Sequence, residues 1–455
     1  MRNSFCRVPV PLSSSRADQR IAVLADSDTR WKWGALTARR LADGPHRITG
    51  HVLRGRATPT ARQLAEVGAG TAREVTCAEF LAEIATGRER YDVVVLALVG
   101  GAVQAVLHGA RALWPDPAAR PVFVTGYVGV VYEKLADGLL LRHGADLVLA
   151  NSRHDAERFR AVYEGVGAPV DAVIETALPF LDGAAYAPTG SPAHRVVFAV
   201  QPSVPEGRAD RAYLLERAAG HARQHPEREV LVKLRSRPGE HTTHLEEHPY
   251  QRLAERLPGG LPPNCRLAYG HMGEVLDSTD LLVTVSSTAA LESLHRGIPT
   301  AVLTDLGVRE ALGNHHFLGS GCLASWDHLD AGLLPRGDPN WLSTHGVAPA
   351  AARSAAPVDP YAAARERLAG LLAADRLPPP EPYYTLATAP GYLPGILARQ
   401  RLAPDGTPLP GAGRAGAGES ALRRRLRAHL REAARGTYRH GVQRVAPLIR
   451  RLGDL

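Results

Sequence analysis

Cysteine is scarce in this 455-residue chain: Cys6, Cys77, Cys265 and Cys322 stand far apart, and no two form a Cys-x-x-Cys pair. That argues against a disulfide framework or a cysteine-rich zinc site and fits a reducing cytoplasm. Long apolar runs are missing too. The longest, Val93–Val99, suits a buried strand and is far too short for a membrane span. Arg2 and Arg7 are followed by no apolar stretch of secretory-signal length. The phosphate-loop lysine motif, the Gly-x-Gly-x-x-Gly fingerprint and the Gly-x-Ser-x-Gly elbow are all absent, which argues against a P-loop ATPase, a standard dehydrogenase and a serine hydrolase. Lysine, isoleucine and asparagine are thin beside arginine, alanine, glycine and proline, a bias of a GC-rich genome with no functional meaning by itself.

The net charge is +8, and its location matters more than its size. Residues 421–455 hold ten arginines against Glu432 and Asp454, which equals the whole excess and leaves the body formally neutral. A neutral body argues against nucleic-acid binding, and a basic tail points to an anionic partner for that segment alone. Leu422, Leu426 and Leu430 recur every four residues among those arginines, the pattern of an interfacial helix on anionic lipid. A solvated basic tail would read the same way.

Between residues 20 and 185 continuous apolar runs alternate with helical stretches. Strands are expected at Arg20–Ala25, His46–Leu53, Asp92–Val99, Pro121–Thr125, Leu147–Ala150 and Ala172–Glu175. Helices are expected at Trp33–Ala42, Cys77–Thr86, Gly101–Leu113 and Arg153–Tyr163. After a Gly/Pro/Ala-rich linker at Leu181–Ala193, a second such series fills residues 194–345. The expected fold class is therefore α/β: two Rossmann-like, doubly wound domains facing a cleft. Residues 1–19 read as an irregular leader, 355–400 as a helical return segment, 403–418 as a linker and 420–455 as a basic amphipathic helical tail.

Ligands of open α/β sheets bind beyond the carboxyl ends of the strands, so those positions supply the candidates. In the second domain, the run Leu281–Val285 leads into Ser286-Ser287-Thr288 and then a helix. Hydroxyls and free N–H groups at that turn form an anion site, with Glu292 one turn further on and in reach of ribose hydroxyls. Gln201 and Ser203 follow the first strand of the same domain, and Arg208 is a weaker candidate nearby. A helix cap with no ligand is the plain alternative for the serines.

In the first domain, Asp26 and Asp28 are the candidate bases that would take an acceptor proton. Asp28 could equally cap the following helix. Arg30, Lys32 and Trp31 are placed to meet an acceptor, with Trp31 or Trp33 stacking on a sugar unless they are core. Gly100, Gly101 and Tyr127 follow later strands on the same side. His241, His244 and His248 lie close together without a fourth ligand, so no metal site is expected. His315 and His316 are weighed as donor contacts and read first as surface or core.

The segment Thr279–Asp305, with Ser-Ser-Thr, an apolar helix carrying Glu292 and then Gly297-Ile298-Pro299, resembles the donor half of GT-B glycosyltransferases. Within that group it is similar to bacterial sialyl- and polysialyltransferase-like enzymes and to glycerophosphotransferases of teichoic acid synthesis. The stretch Leu24–Gly34 also resembles an uncharacterised bacterial family described as glycosyltransferases. Together these cover about residues 20–330. The resemblance implies an inverting, metal-independent transfer from a nucleotide-sugar co-substrate, a CMP-sugar among the options, to a glycan or lipid-linked acceptor of the cell envelope, with no cofactor. It also implies a cytoplasmic protein, peripheral at the inner membrane face if the tail binds lipid. One departure stands out. Where those relatives carry His-Pro, this chain reads Lys233-Leu234-Arg235-Ser236-Arg237-Pro238, so Arg235 or Arg237, or a displaced His248, would contact the donor phosphate. A nucleotide-sugar epimerase of the same architecture and a non-catalytic partner protein are the alternative readings.

Overall fold

The computed structural model describes residues 18–55, 58–66, 72–130, 134–188, 194–237, 246–348 and 359–410. The basic tail at 420–455, nearly all of the leader, and His241 and His244 lie outside the described residues. The first sheet contains β1 (Gln19–Ala25), β2 (His46–Leu53), β3 (Ala72–Val75), β4 (Val93–Ala97), β5 (Val122–Gly126), β6 (Leu147–Ala150) and β7 (Val173–Glu175). Their order is β3-β2-β1-β4-β5-β6-β7, and every pairing is parallel. The second sheet contains β8 (Arg195–Ala199), β9 (Glu229–Lys233), β10 (Cys265–Ala268), β11 (Leu281–Thr284), β12 (Thr300–Leu303) and β13 (Leu323–Ala324). It is ordered β10-β9-β8-β11-β12-β13, again all parallel.

Each sheet reverses its winding once, beside its first strand: between β1 and β4, and between β8 and β11. Those crevices are where an open α/β sheet takes a ligand. The strands next to them are buried on both faces, Ile21–Ala25 and Val93–Leu96 at 0 % exposure, so they read as unbroken apolar runs. β3 was not expected, because at the sheet edge its sequence Ala-Arg-Glu-Val buries only Val75.

The first helix spans Asp28–Leu41 and so begins earlier than the expected Trp33. Ser27 starts it: its hydroxyl accepts from the Arg30 N–H in extended backbone geometry. The earlier start puts Trp31, Ala35, Ala38 and Leu41 on the stripe that faces the sheet. Gly34 lets this helix press close, since a Cβ there would come within 2.7 Å of Val23.

After the second domain the chain packs back onto the first. The helix Ala362–Ala373 is capped by Arg88, which donates to the carbonyls of Leu371, Leu372 and Ala374. The helix Leu393–Arg399 lies on the helix Gly100–Leu113, with Ile396 3.7 Å from where a Gly101 Cβ would sit. One apolar cluster runs across both domains, joining Trp31 and Phe180 to Leu291, Phe317 and Trp341. No helix among the described residues is long and apolar enough to cross a membrane.

Candidate functional site

The strand ends of the two sheets meet at a cleft of about 200 Å³. Asp28, Lys32 and Phe180 line it from the first domain, and Lys233, Arg235, Ser287, Thr288 and Glu292 from the second. A larger hollow, about 700 Å³, opens between Arg20, Arg88 and the helix Ala362–Ala373. It lies at the amino-terminal edge of the first sheet, the end that does not carry ligand-binding loops.

The Ser286–Thr288 turn divides its labour. Ser286 is buried, donates its hydroxyl to the Leu312 carbonyl at 2.6 Å, and gives its N–H to Gln201 Oε1 at 3.0 Å. It is thus tied into the protein. Gln201, whose amide also donates to the Ser286 hydroxyl, holds β8 to β11 across the switch point. The Ser287 hydroxyl accepts from the Ala289 N–H at 3.2 Å, a helix-start bond, while the Ser287 N–H donates to Thr284. Thr288 opens onto the cleft, its hydroxyl without a hydrogen-bond partner among the described residues, opposite Gly129 of the first domain. Behind it runs the helix Ala289–Arg296, whose amino-terminal partial charge points at the same space.

Glu292 faces the cleft from that helix at 8 % exposure. Burial pushes its carboxyl above the usual carboxylate range, against the pull of Lys32 and Arg296. Lys32 Nζ sits 3.6 Å from Glu292 Oε2 and 4.9 Å over the Phe180 ring. Arg235 reaches the other way. Its Nη2 donates to Asp28 Oδ1 at 2.9 Å and also bonds the Thr29 hydroxyl. Lys233 is buried at the end of β9 and donates to the Leu234 carbonyl at 2.8 Å.

The two candidate bases differ sharply. Asp26 accepts from Arg30 Nη1 and from the Val99 N–H, both at 2.9 Å, so each oxygen is already held and the residue ties β1 to β4. Asp28 is free of capping duty because Ser27 performs it, and its carboxylate lies in the cleft. Arg30 is Asp26's partner and does not line the cleft.

Several expected contacts fall elsewhere. Trp31 and Trp33 are 1 % exposed in the core, and Trp33 packs on Gly126, where a Cβ would come within 2.8 Å of its ring; neither stacks on a ligand. Gly100 makes room for Leu141 and Arg142, and Gly101 faces Ile396, so helix packing accounts for both. Tyr127 lies under the Arg142 guanidinium at 4.0 Å, and its carbonyl accepts from Asn151. Arg142 is itself buried and donates to the carbonyls of Leu98, Gly126 and Gly138, pinning the ends of β4 and β5. Ser203 and the exposed Arg208 are outside the cleft lining, and exposed Arg237 rests 5.5 Å from the Tyr269 ring. His248 is also outside it, its carbonyl accepting from Arg211. His316 is half-buried against Phe317, Trp341 and His345.

Lys233 and His271 line the cleft and were not foreseen. Position was one available signal, since Lys233 is the last residue of β9 and His271 follows closely on β10. Scarcity was another. The chain has only three lysines, Lys32, Lys134 and Lys233, in a background that uses arginine almost everywhere, and two of the three are in the cleft. His221, His225 and Asp330 also cluster, with ligand atoms within 4.8 Å of one another. His221 Nδ1 already bonds Asp330, Arg228 donates to His221 Nε2 and Arg217 to Asp330, so the group is an ion-pair and hydrogen-bond network.

Two parallel α/β sheets with their switch points facing one cleft are the two-domain arrangement of the GT-B fold. The chain belongs to the family described as "Putative glycosyltransferase (DUF6716)", whose model matches residues 21–359. Among curated proteins nothing matches. Among solved structures it is similar to MnaA of S. aureus in complex with UDP, at 12% identity and a TM-score of 0.47, over 72% of this chain and 91% of that one. It is similar also to a UDP-glucosyltransferase from Polygonum tinctorium, at 13% identity and TM-score 0.47, over 79% and 100%. A third is the UDP-GlcNAc 2-epimerase from Neisseria meningitidis bound to UDP-GlcNAc, at 10% and 0.44, over 78% and 98%.

Proposed function

We propose that the protein transfers a sugar from a nucleotide-sugar to a hydroxyl acceptor, with inversion and without a metal. The observation that carries this reading is the facing pair across the cleft: a carboxylate, Asp28, on the first domain, and the Thr288 turn with Arg235 on the second. The acceptor oxygen attacks the anomeric carbon from the Asp28 side and passes its proton to that carboxylate. The bond from the anomeric carbon to the phosphate oxygen breaks, and its electron pair stays on the phosphate. Arg235, Lys32, the Thr288 hydroxyl and the positive end of its helix then offset the charge on the leaving group. Glu292, held in the cleft wall, accepts from donor hydroxyls. A glycan or lipid-linked envelope acceptor fits this scheme, and the arginine-rich segment 420–455 would bring the protein to an anionic membrane face.

A nucleotide panel in a thermal-shift assay tests donor binding. At least one nucleoside mono- or diphosphate should raise Tm, and a Ser287→Ala/Thr288→Ala variant should lose that rise. No stabilisation by any nucleotide, or equal stabilisation of the variant, would sink the reading. Product analysis with donor alone separates transfer from epimerisation, since an epimerase needs no acceptor.

A further inference from the structure

The cleft of about 200 Å³ is small for its task, because pockets that hold small organic ligands usually measure roughly 300–1,000 Å³. Two reciprocal ion pairs cross it. Arg235 of the second domain holds Asp28 of the first at 2.9 Å, and Lys32 of the first approaches Glu292 of the second at 3.6 Å. On another side of the interface the domains meet through apolar and ring contacts, with His154 stacked on His345 at 4.7 Å and Trp341 in the shared cluster. The charged side and the ring-packed side are therefore held by different chemistry, and only the first answers to an incoming anion.

We propose that these two pairs form a charge latch that the donor's phosphate releases, so that the base is set free only when the leaving group is in place. On Arg235 the Asp28 carboxylate takes a bonding position that a phosphate oxygen would use, in the cleft that Thr288 also lines. A carboxylate and a phosphate compete for one guanidinium, and phosphate carries more charge and more acceptor oxygens. Lys32 is released from Glu292 in the same exchange. Two consequences follow. Donor binds before acceptor, and without donor Asp28 stays paired with Arg235. Arg235 is on this account a positioning residue for Asp28 as well as a phosphate ligand. The identity of the anion rests on the functional reading above; the latch itself rests on the two ion pairs.

Titration calorimetry of the full chain with inorganic pyrophosphate tests it. Asp28→Asn removes the competing charge and should tighten pyrophosphate about fivefold or more, while Asp28→Glu, which restores the competitor, should return to the wild-type value. Arg235→Gln should weaken binding at least about tenfold. Glu292→Gln reports the same competition through Lys32 and should also tighten it, which keeps the test alive if Asp28→Asn folds poorly. Unchanged or weaker binding in both carboxamide variants, with Arg235→Gln still impaired, overturns the latch and leaves the donor site standing. Failure of the wild type to bind pyrophosphate and every nucleotide overturns both.

Discussion

Acidification from pH 7 to pH 5 should cost this protein about 2 kcal/mol of folding stability through His316 alone. Burial, with His345, His154, Arg158 and His315 around it, pushes the His316 imidazole from its ordinary 6.5 down to about 3. The folded state thus takes up this proton later than the unfolded chain. The contribution is complete above pH 6.5, declines as the pH falls below that value, and is fully lost only near pH 3. Each pH unit in that window is worth about 1.4 kcal/mol, and pH 5 lies about 1.5 units inside it. His51, His108, His221 and His345 are also pushed down by burial, so the whole-protein slope is steeper and the His316 share must be read by difference. His316→Phe suits that purpose. The ring meets Trp341 edge-on at 5.9 Å, and its Nε2 is buried with no hydrogen-bond partner among the described residues, so a phenyl ring breaks no hydrogen bond there. Urea unfolding of both proteins at pH 7 and pH 5 gives four stabilities. The wild type should lose about 2 kcal/mol more on acidification than the variant. An equal loss in both would show that His316 is protonated in the folded state and that its burial has been misread.

Trp31→Ala should lower unfolding stability by about 3–5 kcal/mol, the range for deleting a core indole; a variant of normal stability with weakened acceptor binding would return Trp31 to the ligand side. Asp28→Asn should reduce sugar transfer by about 10²–10⁴, the usual worth of a general base, with a much smaller drop for Asp26→Asn, measured as kcat on a donor found by the nucleotide panel. The reverse order would move the base to Asp26. Arg142→Met should lower stability by about 3 kcal/mol or more, because the carbonyls of Leu98, Gly126 and Gly138 lose a buried donor; denaturant midpoints check it.

The architecture was legible because both sheets are parallel and covered on both faces. Such strands are plain apolar runs, and His46–Leu53 and Leu147–Ala150 appear in the structure at the limits read from sequence. β3 escaped because an edge strand with one buried residue leaves no such run. Position after a strand led to Asp28, Arg235 and Thr288, which line the cleft, and equally to Gly100, Gly101 and Tyr127, which do not. Trp31 was misplaced because the start of its helix turned on Ser27, whose hydroxyl cap moves the first turn back to Asp28 and rotates the indole into the core. Gly100 was misread because a glycine that admits Leu141 and Arg142 looks, in sequence, the same as one that admits a ligand. Arg235, Arg237 and His248 were the options at the position where the relatives carry His-Pro, and of the three Arg235 is the one that lines the cleft. The ion pairs it and Lys32 make across the cleft could not be read, since they depend on how two separate domains face each other.

The two sheets solve one problem twice, and this favours Asp28 over Asp26 as the proposed base. At each switch point two parallel strands part, and the backbone just beyond them needs a tie. In the first domain Asp26, next after β1, accepts the Val99 N–H beyond β4; in the second Gln201, shortly after β8, accepts the Ser286 N–H beyond β11. The side chains differ in charge, yet the bond is equivalent, so Asp26 is there as an acceptor and its negative charge is matched locally by Arg30. A base drawn from this tie would lose the bond that shapes the crevice whenever it took a proton. Asp28 carries no such duty: Ser27 caps the helix, and its partner is a residue of the opposite domain. The side chain able to change protonation without loosening its own sheet is the one whose neutralising cation can be drawn away by a ligand.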